Sequence, residues 1–187
     1  MRTTHVRGNP YLLSLTAIIV GLGCWVAFYR VYGGRLINMF VEAGNTLNVW
    51  HVVGGIIFII VTVPIHELLH MVIACRFVSL SDVHIKPGIL AWQCRVDKPL
   101  SRKQFILYAL FPCMVLSGGG LKSFFVVGSP YIKLLSVILC IIGIAGATGD
   151  WWFTIQVMRL PHNVRIIDEG IGLRRLVVRE NDTGCAI

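Results

Sequence analysis

Four apolar runs set the pattern of this chain. Residues 11–29, 52–76, 105–127 and 134–158 are rich in Leu, Ile, Val and Phe, and polar connectors separate them. A helix crosses a bilayer in about 20 residues, and each run is long enough. The predicted fold is an all-α membrane protein, a bundle of about four transmembrane helices. The first run is long for the apolar part of a signal peptide, and Ala27-Phe28-Tyr29 is a poor cleavage site. It is therefore expected to stay as an uncleaved helix. Residues 30–50 are mixed, with Gly33-Gly34 and Gly44-Asn45, and are expected to lie partly in the interface with Trp50 at the boundary. The third run contains Pro112 and Gly118-Gly119-Gly120. It either ends at Lys122 or reaches 127 with the lysine snorkelling to the interface.

One connector has a different period. Residues 83–86 and 90–96 alternate apolar and polar side chains across Pro87-Gly88. Pro followed by Gly fits a type II turn, so a small cytoplasmic β-hairpin is predicted between helices 2 and 3. Such an edge can take an extended peptide by strand addition. An amphipathic connector on the membrane surface is the plainer reading.

Composition agrees with a membrane protein. Of 187 residues, 56% are hydrophobic and only 14% charged, with a mean hydropathy of +0.75. The chain is expected to form one membrane-embedded domain over 1–187, with 159–187 as a cytoplasmic tail. A net charge of +8 suggests nucleic acid in a soluble protein. Here the basic residues sit mostly in connectors, where they set topology and face anionic lipid, so no nucleic-acid partner is expected. The six cysteines form no C-x-x-C pair and read as small buried side chains.

The second run carries the chemistry. Its centre is His66-Glu67-Leu68-Leu69-His70, an H-E-x-x-H pattern. On a helix, positions i and i+4 share a face, so both imidazoles can meet one ion. Glu67, beside the first histidine, can act as general base on a water at that ion. Imidazoles suit zinc, one per chain, although iron or cobalt accept the same ligands. A single histidine in an apolar helix is usually a satisfied core residue. Ionisable groups in lipid are costly, about 2.5–3.5 kcal/mol for a mid-membrane charge on insertion scales, and mark function by default. Pro64 precedes the motif by two residues and can kink the helix beside the metal.

A catalytic zinc needs a third protein ligand. Of the nine acids, only Glu67 and Asp150 fall within predicted spans. Charge fixes the depth of both. Four spans put the termini and the 76–103 loop on one side, and that side carries thirteen of the Lys and Arg residues against four on the other. The positive-inside rule makes that side cytoplasmic. His70 and His66 then lie about 9 and 15 Å along the helix from Arg76, and Asp150 about 13–14 Å from Arg159. All three reach a similar level. Gly143, Gly146, Ala147 and Asp150 follow helical spacing, and this small-residue face is expected to pack on the motif helix. Asp150 is either the third ligand or a structural hydrogen-bonding partner.

The HELLH helix, the polar loop after it and Gly149-Asp150 resemble the putative zincin peptidase family of small bacterial multi-pass membrane proteins. The resemblance implies a membrane metallopeptidase with His66, His70 and Asp150 on the metal and Glu67 as catalytic base. The arrangement is also similar to site-2 intramembrane metalloproteases, which pair H-E-x-x-H with a later Asp. Their Asp sits in Asn-Pro-Asp-Gly or Leu-Asp-Gly, whereas here the setting is Gly149-Asp150-Trp151. The expected partners are a membrane protein or peptide substrate and the bilayer of the cell membrane. A small metal or proton transporter and an inactive membrane adaptor remain the alternatives.

Overall fold

The computed structural model describes residues 3–7, 9–87, 92–168 and 175–180. Five α-helices run α1 (Pro10–Thr46), α2 (Val49–Ala74), α3 (Arg102–Val126), α4 (Pro130–Gly146) and α5 (Thr148–Met158) among the described residues. Their starts follow local chemistry. The Asn9 side-chain oxygen accepts from the N–H groups of Tyr11 and Leu12, and Pro10 begins α1 without an orphaned N–H. The Asn48 side chain caps α2 through the N–H groups of Trp50 and His51. Ser101 and Gln104 form a capping box at α3, the Ser101 N–H donating to Gln104 Oε1 at 2.8 Å and the Gln104 N–H to Ser101 Oγ at 3.4 Å.

Three helices are long and apolar enough to cross a membrane, and the bent pair α4–α5 makes a fourth if counted as one span. All four predicted apolar runs are helical, with two differences in where the helices extend and break. Residues 30–46 continue α1 as helix, since Gly33-Gly34 and Gly44 do not stop a helix with no proline beyond its first residue. The fourth run breaks at Ala147, where the chain turns by 41°. The Thr148 hydroxyl donates to the Ala145 carbonyl across that break at 2.6 Å. α3 continues past Lys122 to Val126, and α2 runs through Pro64.

The strands are β1 (Thr3–Arg7), β2 (Val83–Pro87), β3 (Trp92–Ser101), β4 (Val164–Asp168) and β5 (Arg175–Glu180). The predicted hairpin is β2–β3, antiparallel with Cys94 opposite Ile85 and Val96 opposite Val83. Its turn lies outside the described residues, and Pro87 pairs with Trp92 instead of sitting in the turn. The all-α expectation is corrected here, because the hairpin is one edge of a five-stranded antiparallel sheet ordered β1-β5-β4-β3-β2. The remaining strands come from the polar ends of the chain, whose partners are distant in sequence and leave little local signal. A register shift between Val96 and Leu100 on β3 coincides with Pro99, which has no N–H for the ladder.

Contacts divide the chain into two compact units. One comprises Met1–Leu13, Glu67–Phe111 and Gly149–Ile187, and holds the sheet. Its core joins Ala74 of α2 and Phe105, Tyr108 and Ala109 of α3 to Phe153 and Val157 of α5 and to Cys94, Val96, Leu100, Val164 and Ile166 of the sheet. Arg102 ties α3 to the end of α5, donating to the Met158 and Leu160 carbonyls.

The other unit, Ser14–His66 and Pro112–Thr148, is helical throughout. Phe124 and Val137 pack there with Trp25, Phe28, Tyr32 and Ile141. A Cβ on Gly120 would meet backbone atoms of Ser136 and Cys140 at 2.7 and 2.8 Å, and one on Gly143 would meet Ser117 Oγ at 2.6 Å. These two glycines let α3 and α4 touch backbone to backbone. Of the predicted small-residue face, Gly143 thus packs on α3, a Cβ on Gly146 would meet nothing within 4 Å, and Asp150, beyond the break at Ala147, faces His70 of the motif helix.

Candidate metal centre

The motif helix presents His66, Glu67 and His70 as expected from their spacing. Their ligand atoms lie within 4.8 Å of one another, close enough together to hold one metal ion. His66 and Glu67 are half-buried and His70 is fully buried. Asp150, in the first turn of α5, is 2% exposed. Its Oδ2 lies 3.3 Å from His70 Nε2. The structure thus brings together the residue from the last helix and the second motif histidine, eighty positions apart.

His70 is held from its other side. Its Nδ1 is 3.0 Å from the Tyr108 carbonyl oxygen. A carbonyl can only accept, so Nδ1 carries the hydrogen, and Nε2 is the atom turned to Asp150. The Tyr108 ring packs on the imidazole with centroids 4.8 Å apart. This is the arrangement that orients a metal-binding histidine, with one ring nitrogen fixed by a carbonyl and the other offered to the ion.

Glu67 is also fixed. Its Oε2 accepts from the Cys94 N–H on β3 at 2.8 Å. The Cys94 carbonyl, on the same side of the strand, lies 3.3 Å from the Tyr108 hydroxyl, which is also 3.2 Å from Asp168 Oδ2. Tyr108 and Asp168 are 0% and 1% exposed. One strand residue therefore meets the carboxylate of α2 and the phenol of α3 through its two main-chain groups.

The His70–Asp150 pair fits zinc, although Asp150 is not among the ligand atoms that lie within 4.8 Å of one another, which are those of His66, Glu67 and His70. Two ligand atoms each about 2.0–2.1 Å from a tetrahedral zinc stand about 3.3 Å apart, which is the separation of His70 Nε2 and Asp150 Oδ2. The donors are imidazole nitrogen and carboxylate oxygen, and both buried groups face each other as a cation would require.

The model of a family described as putative zincin peptidase matches residues 59–165, more than half of the chain. The chain belongs to that family. No curated protein and no solved structure matches it. The zincin match takes in the H-E-x-x-H helix, β2, β3, α3 and Asp150, and it ends just before Asp168. The His66-Glu67-His70 spacing is compatible with the zincin peptidase description of the family.

Sequence reasoning missed Tyr108, Cys94 and Asp168. Asp168 reads as one more acid in a polar tail, and Cys94 contributes main-chain groups that no side-chain pattern reveals. Tyr108 acts through its carbonyl as well as its hydroxyl.

Proposed function

We propose that this protein is a zinc-dependent membrane metalloprotease that hydrolyses peptide bonds at the cytoplasmic side of the bilayer. The observation that carries the reading is the buried approach of Asp150 to His70 Nε2 at 3.3 Å beside an H-E-x-x-H helix. His66, His70 and Asp150 hold the metal and Glu67 is the catalytic base. When bound, zinc supplies Lewis-acid chemistry, polarising the scissile carbonyl and making water more acidic.

The chain's own residues do the rest. The Tyr108 carbonyl holds the His70 ring so that Nε2 stays on the metal side. The Cys94 N–H holds Glu67 Oε2, leaving Oε1 to take a proton from the attacking water and deliver it to the leaving amine. Burial of His70 and Asp150 keeps bulk water from the reacting atoms. Substrates are membrane proteins or peptides that present an extended, unwound segment at that depth, since a helical backbone hides its carbonyls from attack.

The cytoplasmic placement rests on the thirteen-to-four distribution of basic residues. The pairing of β1 and β5 into the same sheet as the β2–β3 hairpin supports it, because both ends of the chain must then reach the hairpin's side. The test is metal content and proteolysis of the full chain in detergent. About one zinc per chain is expected. Glu67→Gln should keep that zinc and lose cleavage by at least about a hundredfold. A wild type that takes up no zinc, or a Glu67→Gln protein that still cleaves, overturns the reading.

A further inference from the structure

α3 contains a proline, and its position bears on the metal centre. In an α-helix the N–H of residue i donates to the carbonyl of residue i−4. For the Tyr108 carbonyl that donor would be residue 112. Residue 112 is proline, which has no N–H and whose ring crowds the carbonyl four residues back in a helix. The same Tyr108 carbonyl accepts from Nδ1 of His70 at 3.0 Å.

We propose that Pro112 is a positioning residue for the metal centre: by withholding the intrahelical N–H, it gives the Tyr108 carbonyl to His70 and so fixes which imidazole nitrogen faces Asp150. The assignment rests on reading His70 Nε2 as a metal ligand, but the hydrogen bond it invokes exists with or without the ion.

Three observations carry the inference together. His70 is completely buried, so water cannot serve as the partner of Nδ1. A buried imidazole N–H must find a protein acceptor or leave a costly orphan. Within a regular helix every carbonyl is already engaged, and a second donor meets an acceptor whose better direction is taken. Proline at i+4 is the one coded residue that removes that competitor while the helix continues, and α3 does continue through Pro112 to Val126. The Tyr108 side chain adds a second hold, its ring lying 4.8 Å from the imidazole centroid. The ring alone, however, cannot tell Nδ1 from Nε2.

The consequence separates two quantities that usually move together. A proline in a helix interior costs stability, so Pro112→Ala should leave the fold as stable or make it more so. The same change restores an N–H at position 112 that competes for the Tyr108 carbonyl. Loss of an outer partner of a metal-binding histidine weakens metal affinity by about 10–100-fold. The carbonyl can still be shared, so the lower end, about tenfold, is expected.

The experiment uses the full chain in detergent, with zinc affinity measured by chelator competition, thermal unfolding of the metal-free protein, and the His70 Nδ1–H followed by NMR on histidine-labelled protein. In wild type that proton should exchange slowly, with or without zinc. In Pro112→Ala it should exchange at least about tenfold faster, and zinc should bind about tenfold more weakly while the unfolding temperature holds or rises. Replacing residue 112 by the backbone-ester analogue of alanine removes the N–H again without the proline ring, and should return both readouts toward wild type. Zinc affinity and Nδ1–H exchange within twofold of wild type in Pro112→Ala would overturn the proposal. Absence of a slowly exchanging Nδ1–H in wild type would overturn it without any variant, even one that fails to fold. A wild type that binds no zinc but shows the protected proton, lost in Pro112→Ala, sinks the metallopeptidase reading and leaves this one standing.

Discussion

The sheet-bearing unit and the helical unit handle buried polar groups in opposite ways. The helical unit buries Thr62, Ser136 and Thr148. Each hydroxyl donates to a carbonyl of its own chain three or four residues back: Phe58, Ile132 and Ala145. These bonds are local, neutral and available to any helix, so they fix nothing beyond the turn that makes them. The sheet-bearing unit buries His70, Asp150, Thr154 and Asp168. Its bonds link residues far apart in sequence: Glu67 to Cys94, His70 to Tyr108, Tyr108 to Asp168, and His70 to Asp150. A buried polar group that is satisfied locally supports a helix, whereas one that is satisfied across elements fixes the geometry of a site. On this comparison the proposed chemistry belongs to the sheet-bearing unit together with His66, and the helical unit supplies packing.

The comparison can be broken most directly at the proposed ligands. His70→Ala and Asp150→Ala should each weaken zinc binding by at least about a hundredfold, because a buried ligand cannot be replaced from solvent. Equilibrium dialysis against zinc measures this. Loss with His70→Ala alone would make Asp150 a structural partner of the imidazole and reopen the third ligand position.

Packing in the helical unit gives the next largest effect, and of the other kind. Gly120→Leu forces a side chain against the backbone of Ser136 and Cys140, atoms that cannot move aside. Destabilisation of about 1–3 kcal/mol or more is expected from overpacking, seen as a lower unfolding temperature in detergent, with one zinc per chain retained in the folded fraction. Loss of zinc affinity from a still-folded Gly120→Leu protein would show that the two halves do not divide the work.

A smaller effect is expected at Tyr131, whose hydroxyl donates to the His51 carbonyl at 2.7 Å. Tyr131→Phe should cost about 0.5–1.5 kcal/mol, read from the same unfolding curve, without change in zinc affinity. Ser136→Ala should do least, about 0.5 kcal/mol or less, because the carbonyl it leaves keeps its intrahelical bond. A larger loss there would mean that the local hydroxyls are structurally specific after all.

Much of the helical pattern was legible in advance because it is local. Long apolar runs and their polar breaks placed every long helix, and alternation over 83–96 placed the hairpin. The break at Ala147 was not legible, since Gly146-Ala147-Thr148-Gly149 contains no proline and a straight helix would carry it. The sheet's outer strands were missed for a different reason. Val164–Asp168 and Arg175–Glu180 are short and mixed, and a strand of that kind exists only because a partner lies beside it.

The chain's own sequence determined the H-E-x-x-H face, since helix periodicity alone puts His66, Glu67 and His70 together. It also singled out Asp150 as the one acid besides Glu67 within a predicted span. Only the tertiary structure decided how those groups are held. Cys94 reaches Glu67 through a peptide N–H, and Tyr108 reaches His70 through a carbonyl. Every residue but proline offers those same main-chain groups, so residue type cannot announce their use. Which of them meets a buried side chain depends on where strands and helices come to rest, and that is settled by packing between segments far apart in the sequence.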